Sequence, residues 1–163
     1  MTVRVYVPTT MTGLRELVQA DGVGPAPFLA HAVTDAVRRE LADGGEEDWE
    51  YAASSAAALV SVGLLGEGEP ARRVVLAVDV PDVRRVQVED PTTVEIEAVV
   101  PFRWVAAVLA DSAEAGDAVA AAHRAEAEGS PEAAALLERC LDHELGWWAT
   151  QEIPQLLGIR DRP

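Results

Sequence analysis

Two hydrophobic spacings alternate along the chain. A valine-rich apolar run, Val74-Val75-Leu76-Ala77-Val78, lies within the stretch Arg73–Pro81. An unalternating, valine-rich run predicts a central strand covered on both faces. Pro81 closes it, because proline cannot donate to an interior ladder. Val105–Ala110 is a second such run. Elsewhere the period is two. Val3, Val5 and Val7 alternate with Arg4 and Tyr6 and end at Pro8. Val86 and Val88 alternate with polar residues, as do Val94, Ile96 and Ala98, across a turn at Asp90-Pro91. That pattern predicts an antiparallel hairpin over 84–99 with one wet face, Arg84 or Arg85 standing across from Glu95 or Glu97. Residues 28–33 form a further short strand.

Helical spacing fills the intervals. Leu14, Leu17 and Val18 follow the capping residues Thr9 and Thr10, and Asp21-Gly22 ends that helix. A loop, Gly24-Pro25-Ala26-Pro27, leads to the 28–33 strand. Thr34 caps a short helix through Leu41. After Gly44-Gly45, a helix opens on Glu46, Glu47 and Asp48, where carboxylates meet the positive end of the helix dipole. Trp49, Ala53, Ala56, Val60 and Gly63 share one of its faces. Asp111 and Glu114 have capping-box spacing for a helix to about Glu128. Gly129-Ser130-Pro131-Glu132 marks the start of another, with Leu137, Leu141, Leu145 and Trp148 on one face and Gly146 as its end. The tail 147–154 is then extended or irregular, a turn follows at Leu156-Leu157, and 159–163 fray. The expectation is an α+β fold: one domain over 1–163, built on a single mixed sheet with helices packed on it.

Composition narrows the function. The formal net charge is −15, and all 13 basic side chains are arginine, with no lysine and no asparagine. Such a surface lacks the cationic stripe that nucleic acid or an anionic membrane requires. Without lysine there is no Schiff-base chemistry and no P-loop. Cys140 is the single cysteine, which suits a reducing cytoplasm. The start has no signal-peptide pattern, and no apolar run approaches the ~20 residues of a membrane span.

Five stretches carry a family resemblance: Val5-Tyr6-Val7-Pro8-Thr9-Thr10, His31-Ala32-Val33-Thr34, Glu50-Tyr51-Ala52-Ala53, Val78-Asp79-Val80-Pro81-Asp82 and Trp147-Trp148-Ala149-Thr150-Gln151-Glu152. In them the chain resembles an actinobacterial family of small proteins with no assigned function, and the GC-rich composition agrees. The resemblance implies no substrate, cofactor or catalytic residue. A fainter one, to ADP-ribosyltransferase-like folds, rests on a first strand followed by a helix and a later valine-rich strand ending in Asp. None of that fold's catalytic triads can be matched here.

The chemical candidates are few. His31, His123 and His143 have no metal-ligand spacing, and Asp142-His143-Glu144 lacks the second histidine of a zinc-protease helix, so no metal and no cofactor is expected. Cys140 sits among Leu136, Leu137 and Leu141, the setting of a packed, inert thiol. Gly63, Gly66 and Gly68 follow a helix, whereas a phosphate cradle precedes one. Trp49, Trp104 and Trp148 take core positions. Trp147, one residue off, either caps an end of the core or is an exposed anchor. The favoured reading is a non-catalytic interaction or regulatory module. It would bind a protein or small molecule through Trp147, Thr150 and Gln151, with Tyr6 and Thr9 close by if the first strand ends at the same edge; a homodimer stays open. The alternative is a small metal-independent transferase or hydrolase with Asp79, Glu50 or His143 and Glu144 as acid and base.

Overall fold

The computed structural model describes residues 1–159; residues 160–163 of the stretch expected to fray lie outside them. Its elements run β1 (Val3–Thr9), α1 (Met11–Ala20), β2 (Gly22–Val23), β3 (Phe28–Ala32), α2 (Asp35–Glu40), α3 (Glu46–Gly63), β4 (Val74–Val80), β5 (Arg84–Arg85), β6 (Thr93–Ile96), β7 (Val100–Pro101), β8 (Val105–Ala110), α4 (Gly116–Ala127), α5 (Ala133–Cys140), β9 (Gly146–Ala149) and α6 (Ile153–Leu156). Seven strands form one sheet in the order β5-β6-β3-β1-β4-β8-β9, and β2 with β7 makes a separate two-stranded ribbon. The α+β class stands. One detail is corrected: every pairing among the described residues is antiparallel, where a mixed sheet was expected.

The valine-rich strand is covered on both faces because each carries its own layer. On one side Val74, Leu76, Val78 and Val80 pack with Leu14 of α1, Val23 and Val100 of the ribbon, and Ile153 and Leu156 of α6. On the other, Val75 and Ala77 of β4, Ala107 and Leu109 of β8 and Tyr6 of β1 lie beneath Ala53, Ala57 and Ala58 of α3. Small alanines let the helix approach the sheet closely. A third cluster joins the end of α3, through Val62, to Val119 and Ala122 of α4 and to Cys140 of α5. The buried Ser61 fastens α3 to the sheet: its Oγ donates to the Thr9 carbonyl at 2.6 Å and accepts the Val74 N–H at 3.0 Å.

Several local expectations change. The buried stripe of α3 is rotated from the expected one: Ala53, Ala57, Ala58, Ser61 and Val62 lie inside, while Val60 is 42% exposed. Trp49 lies half-buried under Arg38, whose guanidinium carbon is 5.5 Å from the ring centroid, outside the core clusters. The hairpin pairs as predicted through Arg84 and Glu95 but β5 is only two residues long, and Val88 and Ala98 are exposed outside the strands. The helix expected to reach Gly146 stops at Cys140, and Trp148 belongs to β9, where it packs on the α1 side of the sheet. Asp111 caps no helix; it is completely buried and binds Arg73.

Candidate functional site

Arg73 and Asp111 sit at adjoining ends of β4 and β8, where Val74 pairs with Ala110. Each of the two apolar runs therefore carries a charge of opposite sign at the same end of the sheet. The Arg73 guanidinium gives Nε to Asp111 Oδ2 at 2.9 Å and Nη2 to Oδ1 at 2.8 Å, and the Arg73 backbone N–H adds a 2.8 Å bond to Oδ2. Nη2 also donates to the His143 carbonyl at 2.8 Å. The pair is 1% and 0% exposed. Bidentate geometry and these extra bonds are what a buried ion pair needs to offset its desolvation. By holding His143, Arg73 ties down the loop 141–145 that carries the chain from α5 into the edge strand β9.

That loop forms one wall of a groove of about 260 Å³ on the α3 side of the sheet. Tyr51, Ser54, Ser55 and Ala58 of α3 line it opposite His143, Glu144, Leu145 and Trp147, with Leu109 from the sheet and Arg73 also contributing. Trp147 pairs in register with Leu109, which places its side chain on the α3 face, next to the area the helix covers. It is 60% exposed and Tyr51 59%. Trp147 therefore does not cap the core. Its neighbour Trp148, pointing to the opposite face, does the packing.

Residues 3–157 match the family described as a family of unknown function, DUF6912. The chain belongs to that family. No curated protein and no solved structure matches it. In this DUF6912 chain the predicted site residues divide into separate groups. His143, Glu144 and Trp147 share the groove. Thr150 and Gln151 lie just beyond β9 in a short 3-10 turn and do not line it.

Tyr6, Glu50 and Asp79 belong to a second polar cluster, between β1, β4 and the start of α3. Tyr6 Oη donates to Glu50 Oε2 at 2.5 Å, and Arg4 grips Asp79 through Nε at 2.7 Å and Nη2 at 3.2 Å. Burial, then the bond to Glu50, pushes the Tyr6 phenol well above its ordinary range. His31 is the register partner of Tyr6 on β3. Its Nδ1 lies 2.8 Å from Thr92 Oγ1, whose own hydrogen goes to Asp90 at 2.7 Å, so Nδ1 is the donor. Burial lowers the His31 pKa. Tyr6, Asp79 and His31 are neighbours on the sheet, yet none of them lines the groove. Thr9 is buried, its carbonyl taken by Ser61, and its hydroxyl occupies the space that a Cβ on Gly13 would enter.

In the DUF6912 chain Cys140 is fully buried, with Sγ near the Ala118 and Leu136 carbonyls, and burial pushes its thiol up. Among the described residues no three His, Cys, Asp or Glu side chains converge as a metal site, and no helix is long and apolar enough to cross a membrane. The sequence reading missed Tyr51, Ser54 and Ser55, because a helix face that borders a groove has the same polar spacing as a solvated one. It also missed Arg73 with Asp111, although opposite charges bounding two apolar runs were a usable signal.

Proposed function

We propose that this protein is a non-catalytic interaction or regulatory module whose working surface is the groove between α3 and β9. The observation that carries the reading is the pair of exposed aromatics, Tyr51 and Trp147, lining one concavity with the loop that Arg73 holds in place. Exposed large aromatics beside polar groups are costly to leave in water and are typical of binding surfaces. Binding is favoured over acid–base catalysis because the proposed catalytic groups are already engaged. Asp79 is held by Arg4 and Glu50 by Tyr6, while His143 and Glu144 have no hydroxyl or thiol nucleophile hydrogen-bonded to them among the described residues. The partner is a protein or small molecule; the net charge of −15 argues against nucleic acid and anionic membrane. A cytoplasmic setting and an actinobacterial source fit the single cysteine and the composition.

A ligand-observed NMR screen of fragments against wild type and Tyr51→Ala/Trp147→Ala tests this. Hits lost in the double variant, with folding intact, support the groove. Hits retained in full by the variant would move the working surface elsewhere.

A further inference from the structure

We infer that the groove takes a guanidinium group, an inference that rests on the groove being the binding surface. Size comes first. At about 260 Å³ the space is below the ~300–1,000 Å³ of pockets for drug-sized ligands, so it admits one side chain or a small amine, not a nucleotide. Charge comes next. The cation in the lining, Arg73, spends three of its five N–H groups on the Asp111 oxygens and the His143 carbonyl, and its charge is already matched by the Asp111 carboxylate, so it adds no net positive charge to the groove. Glu144, by contrast, is exposed and forms no ion pair among the described residues. The groove thus presents an uncompensated carboxylate on a chain of net charge −15, which attracts cations.

The walls refine the choice of cation. Trp and Tyr faces attract cations, and a flat guanidinium can stack on them while a carboxylate accepts two of its N–H groups. Ser54 uses its hydrogen on the Tyr51 carbonyl at 3.2 Å, so its oxygen remains an acceptor. A quaternary ammonium has no hydrogen for such an acceptor, whereas a guanidinium has five N–H donors. The chain already makes one contact of this kind internally, between Arg38 and Trp49. The larger depression of about 680 Å³ beside α2 lacks this imbalance: there Asp35 meets both Arg85, at 2.9 Å, and Arg38, at 3.5 Å.

The test titrates the full chain, at about pH 8 to keep imidazoles neutral, with L-argininamide and with acetyl-Gly-Arg-Gly-amide, each beside its citrulline counterpart. Citrulline keeps the shape and removes the charge. The readout is the Trp147 indole N–H resonance, assigned by its loss in Trp147→Ala. Millimolar binding of an arginine probe is expected, at least ~10-fold tighter than its citrulline counterpart and weakened ~5-fold or more by Glu144→Gln with an unchanged melting temperature. Clearly tighter binding of the peptide would identify a polypeptide source, and equal binding a free guanidine. No shift with either arginine probe, equal binding of citrulline, or indifference to Glu144→Gln would overturn the guanidinium inference. The fragment screen is read separately, so hits lost in Tyr51→Ala/Trp147→Ala would leave the groove standing without this ligand.

Discussion

Arg73 and Glu144 line the same groove, and the protein treats their charges in opposite ways. Arg73 is sealed in, with its carboxylate partner, its own backbone N–H and a loop carbonyl all drawn into one arrangement. Glu144 is left in solvent with no ion-pair partner among the described residues. A buried pair is not by itself a large source of stability, since desolvation consumes most of the attraction. What the Arg73–Asp111 pair does supply is position: it holds the His143 carbonyl and with it the wall that carries Glu144. The charge committed to structure fixes the place of the charge left exposed.

The strongest way to break that contrast is Arg73→Met. It strands Asp111 in the interior and should cost about 3–5 kcal/mol in urea unfolding, a large share of the ~5–15 typical of a domain. Arg73→Met/Asp111→Leu should recover part of the loss while leaving amides of 141–145 exchanging faster than in wild type. A single variant within about 1 kcal/mol of wild type would mean that the pair locks nothing.

Ser61→Ala comes next in size. It removes a bond to the Thr9 carbonyl and another from the Val74 N–H, both in the dry layer between α3 and the sheet. Leaving those groups unpaired should cost about 1–3 kcal/mol. A neutral result would show that α3 is held by its packing and by the Tyr6–Glu50 bond, without a contribution from Ser61.

These two residues mark where the sequence was legible and where it was not. Apolar periodicity revealed β4, β1 and β8, because a strand must bury its hydrophobic face whatever its neighbours do, and it revealed the extent of α3 but not the face that helix buries. The run at 137–148 was misread because Leu137, Leu141, Leu145 and Trp148 keep helical spacing across a helix, a loop and a strand. Tertiary bonds decide that boundary: Arg73 captures His143, and Trp147 and Trp148 pair with Leu109 and Val108. The off-stripe position of Trp147 was visible in the sequence, but its exposure depended on how far α3 extends over the sheet. Nothing local signals that Tyr51 faces it.

A smaller effect should appear on acidification. Burial disfavours the imidazolium of His31, whose pKa lies below the ordinary 6.5. As pH falls, the unfolded chain binds that proton first. The contribution of neutral His31 is therefore whole above about 6.5 and is lost as pH drops toward the folded value, by at most about 1.4 kcal/mol per pH unit. His31→Gln should flatten the decline in melting temperature between about pH 7 and 5. Parallel curves for the two proteins would assign the acid sensitivity to other groups.

The smallest stability effect is expected at Trp147, and it bears most directly on the contrast between committed and available groups. Trp147 and Trp148 are adjacent on β9 but face opposite sides of the sheet. Trp148 packs against the cluster that includes Val108 and Ile153, whereas Trp147 is 60% exposed at the groove. Trp147→Ala should lower stability by less than about 1 kcal/mol, as exposed substitutions generally do, while Trp148→Ala should cost clearly more. Comparable losses would make Trp147 part of the packing and remove it from the binding surface. If Trp147→Ala instead melts like wild type yet loses the fragment and arginine responses, the aromatic is retained for something outside the fold. Glu144→Gln then separates stacking from charge attraction, because only a cationic ligand registers the loss of that carboxylate.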